Sequence, residues 1–158
     1  MFPTASIASY AGTSLTKVAI HTSYACNATV NIYLGGDTPG SSPAATQNFT
    51  MAGDAEFMEV TLNNPVAIDG TQNLWIMFYQ NGETYPADAC NDTGEANNRW
   101  VSLDGITWYD LDEAGLPGYG WMIRGYVSGR GDTIELKPIE NKPHGPVNCK
   151  TIKLKTQK

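Results

Sequence analysis

Residues 99–111 read RWVSLDGITWYDL, with Asp104-Gly105 set between two runs that alternate in polarity. A two-residue type I′ turn needs positive φ at both central positions, and Asp-Gly supplies it at low cost. The stretch therefore predicts a tight antiparallel hairpin. In it Leu103 faces Ile106, Ser102 faces Thr107, Val101 faces Trp108, Trp100 faces Tyr109 and Arg99 faces Asp110. Successive side chains point to opposite faces of a strand. Val101, Leu103, Ile106 and Trp108 thus form an apolar face directed at a core, and Trp100, Ser102, Thr107 and Tyr109 form the other.

Strand patterns continue on both sides of the hairpin. Residues 15–21 (LTKVAIH) and 28–34 (ATVNIYL) alternate, with Val30, Ile32 and Leu34 on one side and Thr29, Asn31 and Tyr33 on the other. Further strands are expected over 45–50, 57–62, 66–68, 73–80 and 120–127. Residues 73–80 (NLWIMFYQ) are apolar on both faces, as expected of a central, doubly covered strand. Residues 81–98 read as a loop. Many short strands separated by turn residues predict an all-β antiparallel sandwich of jelly-roll type.

The chain has 158 residues, enough for one domain that buries a sizeable core without a staple. Charge divides it in two. Residues 1–128 carry three basic side chains (Lys17, Arg99, Arg124) against thirteen acidic ones, whereas residues 129–158 carry seven basic against three acidic. The first part reads as the folded module and the second as a basic linker or the start of a neighbouring module. An acidic body argues against nucleic acid, whose phosphates need a basic face. The longest apolar run, residues 74–78, is too short to cross a bilayer, so no membrane insertion is expected.

The six segments YAGTSLTKVAIH (10–21), TVNIYLGG (29–36), EFMEVTLNNPVAIDGTQNLWIMF (56–78), YPAD (85–88), WVSLDGITWYDL (100–111) and GWMIRGYV (120–127) follow one another in an order that resembles the adhesin-type β-sandwich modules of large surface and secreted proteins of the Bacteroidetes. These include the haemagglutinin and adhesin regions attached to gingipain-type proteases. The resemblance implies a jelly roll, a non-catalytic role in cell adhesion, an extracellular or cell-surface setting and, often, structural calcium. It also implies neighbouring modules in the same parent chain, which accounts for an opening (MFPTASIASY) with neither a basic n-region nor an apolar h-region. The chain departs from the pattern in a longer segment at 88–94 and in Gly120, where the family tends to place Asn.

Two candidate sites follow. Sugars are bound by flat apolar rings ringed by hydrogen-bonding groups, and Trp100, Tyr109, Ser102, Thr107 and Asn98 offer that mixture. A Trp100–Tyr109 pair that only stabilises the sheet is the alternative. Trp75 and Trp121, in strongly apolar runs, are expected in the core. Calcium takes six to eight oxygens from loop carboxylates and carbonyls, and residues 88–98 (DACNDTGEANN) offer Asp88, Asn91, Asp92 and Glu95. Their spacing is not that of an EF-hand.

Shorter signals carry less. Arg130-Gly131-Asp132 is an integrin-type tripeptide past the last expected strand, and in the exported setting that the resemblance implies, Asp132-Thr133-Ile134 looks like the short O-glycosylation signal of the Bacteroidetes. The Asn-x-Thr triplets at Asn27, Asn48 and Asn91 read as polar turns. Three cysteines, Cys26, Cys90 and Cys149, fit neither a full disulfide framework nor a zinc site. A Cys26–Cys90 bridge or free buried thiols are the alternatives. Catalysis is not expected: His21 and His144 lack a nucleophile turn around them, and Asp110 and Asp112 read as solvent-facing charges rather than a glycosidase pair. The expected function is a non-catalytic module that binds a host surface protein or glycan. A carbohydrate-binding module attached to a glycan-degrading enzyme, or a structural spacer, are the other readings.

Overall fold

The computed structural model describes residues 1–54, 56–80 and 98–129 in full, and the backbone of residues 88–91, 134–136 and 149–151. The strands are β1 (Thr13–Thr22), β2 (Cys26–Leu34), β3 (Ala45–Met51), β4 (Glu56–Ile68), β5 (Leu74–Gln80), β6 (Asp88–Asn91), β7 (Trp100–Val101), β8 (Tyr109–Asp110), β9 (Tyr119–Trp121), β10 (Ile123–Ser128), β11 (Ile134–Leu136) and β12 (Cys149–Thr151). The fold is an all-β sandwich of antiparallel sheets.

One main sheet has the order β11-β10-β1-β4 and the other β3-β2-β5. Alternation explains how they close on each other. In β2, Ala28, Val30 and Ile32 are buried while Asn27, Thr29 and Asn31 face outward. The core between the sheets joins Leu15, Val18, Val60, Leu62, Val66, Ile68 and Val127 to Val30, Ile32, Ala45, Leu74 and Ile76. Each fully buried aliphatic side chain of this kind contributes about 1.5–3 kcal/mol. The start of the chain seals one end: Phe2 bridges Leu74, and Phe2 and Ile7 enter the same core.

The expected strands at 57–62 and 66–68 are one strand, β4. Its pairing with β1 shifts between Leu15 and Lys17, where Asn63, Asn64 and Pro65 stand exposed on the β4 side. This irregularity lets Leu15 and Val18, an odd number of positions apart, both point inward. Pro65 removes a ladder donor where the ladder is already broken.

Residues 81–98 were expected to be loop, but they contain β6, which joins β12 and β9 in a third sheet of order β12-β6-β9. Beyond residue 128 the chain contributes β11 to the edge of β10 and β12 to the edge of β6. Among the described residues, no helix is long and apolar enough to cross a membrane.

Candidate binding site

The hairpin differs from its expected form by one residue. Trp100 pairs with Asp110 and Val101 with Tyr109. The connection therefore spans residues 102–108 rather than two. Asp104 is the cause. Its Oδ1 accepts hydrogen bonds from the backbone N–H of Ile106 (2.8 Å) and Thr107 (2.7 Å), and its Oδ2 accepts from the Thr107 hydroxyl. The Ser102 hydroxyl donates to Asp104 and accepts from the Gly105 N–H. Side-chain-to-backbone bonds thus replace the ladder turn. These bonds, those of the Thr107 N–H first, hold the Asp104 carboxyl well below the usual carboxylate range.

A one-residue change of register reverses one strand's faces. Leu103 and Ile106, expected in the core, stand 54% and 83% exposed at the loop. Trp100 and Tyr109 no longer share a face. Trp100 packs edge-on against the fully buried Trp75, with ring centroids 5.8 Å apart, and its carbonyl accepts a hydrogen bond from the Trp121 indole N–H. Tyr109 lies exposed on the opposite side of the ribbon. Trp108 is half-buried, as is Trp121, which bridges two smaller apolar clusters.

The remaining residues of the expected platform are scattered. The Ser102 and Thr107 hydroxyls are engaged by Asp104. The half-buried Asn98 lays its amide in the space a side chain at Gly120 would need: a Cβ there would come within 2.5 Å of Asn98 Nδ2. Asn98 Oδ1 is buried without a hydrogen-bond partner. Asp110 and Asp112 both form ion pairs with Arg99 Nη2, the first at 3.1 Å, and Asp112 stands exposed at the surface.

Of the expected calcium ligands, Asp88 and Asn91 belong to β6. Asp92 and Glu95 lie outside the described residues, as do Arg130, Gly131, Asp132, Thr133 and His144.

A different surface emerges on the outward side of β3-β2-β5. The Asn-x-Thr triplets at 27 and 48, expected as turns, lie inside β2 and β3, and Asn91 ends β6. Three cross-strand pairs line up. The Thr46 hydroxyl donates to Asn31 Oδ1 (3.0 Å), Thr29 to Asn48 (2.8 Å) and Thr50 to Asn27 (3.1 Å). Tyr79 of β5, opposite Thr29 in register, flanks them at 60% exposure. None of these seven residues is charged. Each Asn keeps two N–H donors, and each Thr keeps acceptor capacity. At the far end of the same face Trp75 is covered by Trp100, so the surface runs from a capped aromatic floor to an open polar ladder. The signal for this face was the uncharged character of every outward position in NATVN and TQNFT.

The outer face of β10-β1-β4 is occupied by its own side chains. Lys17 pairs with Glu59 at 2.6 Å and lies over Tyr126, and Arg124 lies over Phe57, which meets His21 edge-on. No family model, curated protein sequence or solved structure matches the chain.

Proposed function

We propose that this chain is a non-catalytic binding module of a larger surface or secreted protein, and that a neutral glycan chain lies along the outward face of β3-β2-β5. The observation that carries this reading is the three-pair Thr–Asn ladder beside the exposed Tyr79. Hydroxyls and amides supply partners for sugar hydroxyls, and the phenol ring supplies a flat surface for C–H faces. The acidic body disfavours polyanionic glycans and leaves neutral ones. One such face binds weakly, and repetition in tandem raises the avidity. A structural calcium ion held by Asp88, Asn91, Asp92 and Glu95 belongs to the same proposal.

Affinity electrophoresis through gels containing β-glucan, xylan or mannan tests the reading, with a sulfated glycan as the charge control. At least one neutral polysaccharide should retard the native protein. Tyr79→Ala and Asn48→Ala should each weaken that retardation about tenfold, the equivalent of losing one good contact. Unchanged mobility in every gel would remove the glycan reading in favour of a spacer.

A further inference from the structure

Cys26 and the other two cysteines occupy different settings. Cys26 begins β2, is half-buried and free, and has its Sγ 3.9 Å from Met51 Sδ. Burial pushes its thiol pKa up. Of the two alternatives, a Cys26–Cys90 bridge or a free thiol, Cys26 takes the second. Cys90 instead stands in β6 directly opposite Cys149 of β12, in a register that also matches Ala89 with Lys150 and Asp88 with Thr151.

Directly opposed residues of an antiparallel ladder share one face, with Cα atoms about 4.5 Å apart in a non-hydrogen-bonded pair and about 5.5 Å in a hydrogen-bonded one. A disulfide accepts Cα separations of roughly 4.4–6.8 Å. Both Cα separations fall within the range that a disulfide spans. The three residues of β12 make a short strand at the edge of its sheet.

We propose that Cys90 and Cys149 form a cross-strand disulfide, made by exchange with a small-molecule disulfide such as glutathione disulfide. The thiolate of one cysteine attacks a glutathione sulfur, breaking that S–S bond and expelling one glutathione thiolate. The second cysteine attacks the protein sulfur of the mixed disulfide and expels the other. The two protons released by the protein thiols end on the two glutathiones. The protein pair is oxidised by two electrons and the glutathione disulfide reduced by two. The bond closes a ring over residues 90–149, which contains the hairpin, β9, β10 and β11, and it fastens the basic end of the chain to the sandwich.

The test uses the full chain, reduced, then incubated folded with glutathione disulfide, alkylated in denaturant and mapped by mass spectrometry. The expected product is two hydrogens lighter, carries alkylation at Cys26 alone and yields one cross-linked peptide joining Cys90 to Cys149. Cys26→Ser should form the same bond at the same rate. Cys90→Ser and Cys149→Ser should each yield no internal cross-link, their remaining cysteine of the pair alkylated or carrying one glutathione. A bond that includes Cys26 would overturn the proposal, as would separate glutathione adducts on Cys90 and Cys149 without an internal link. The Cys26→Ser protein, which keeps the pair intact, decides the matter even if a single-cysteine loss impairs folding.

Discussion

The indole of Trp100 stands edge-on to the indole of Trp75 across the outward side of β5, at 5.8 Å between centroids and 68° between planes. This contact turns the most platform-like residue of the sequence into a lid over a fully buried ring. Trp100→Ala should cost about 3 kcal/mol of stability, near the lower end for removal of a large packed aromatic. Urea unfolding measures that loss. Retardation by neutral polysaccharide, measured under folding conditions, should stay unchanged. Loss of binding with little loss of stability would return Trp100 to a ligand-contacting role.

Acid should loosen the loop at 102–108 before the rest of the module. The Asp104 carboxyl titrates lower in the folded chain than in the unfolded one because backbone N–H groups of Thr107 and Ile106 bond its charged form. Its contribution is therefore complete above the unfolded value, about 3.9, and declines as pH falls through the folded value. Amide resonances of Ile106 and Thr107, followed from about pH 5 down to about pH 2, should move late and together. Movement of both amides at the ordinary carboxylate midpoint would contradict the bonding described here.

Gly120 and Asn98 should behave as a coupled pair. A methyl group at position 120 meets the Asn98 amide at 2.5 Å. Gly120→Ala should therefore destabilise the protein by ~1–3 kcal/mol, as overpacking does. In an Asn98→Ala background the same substitution should cost less, and a double-mutant cycle reads the difference. Additive costs would show that the two residues do not compete for that space.

Oxidation should stabilise the fold. A ring of this length closed by a disulfide is worth about 4 kcal/mol if the bond is unstrained. Guanidinium unfolding of the Cys26→Ser protein, with and without reductant, isolates the effect. Coincident midpoints would mean that β12 leaves β6 without consequence for the rest.

The sandwich was legible because alternation is a local property. The inward set Val30, Ile32 and Leu34 is visible in residues 28–34 before any partner strand is known, and all three join the core, Leu34 as a partly buried member. The hairpin register was not legible, because Asp104 has two uses. Asp-Gly favours a two-residue turn, but a carboxylate that reaches two following N–H groups favours a longer loop, and only the competing bonds decide. β6 escaped for a different reason. Residues 88–91 have little apolar periodicity, and their pairing partners lie at residues 119–121 and 149–151. The Thr–Asn face was hidden by its composition, since Asn and Thr read as turn formers until two strands are set side by side.

The opposition of Cys90 and Cys149 also has a mechanical meaning. A module strung between neighbours is loaded through its chain ends. With the bond closed, tension entering at the C-terminal side passes from Cys149 of β12 to Cys90 of β6 and bypasses the hairpin and strands β9 to β11 inside the ring. Those strands cannot be drawn out in line, which withholds about 200 Å of extended chain. An oxidised tether of such modules is shorter at break and stiffer than a reduced one, and the redox state of a single pair sets its reach.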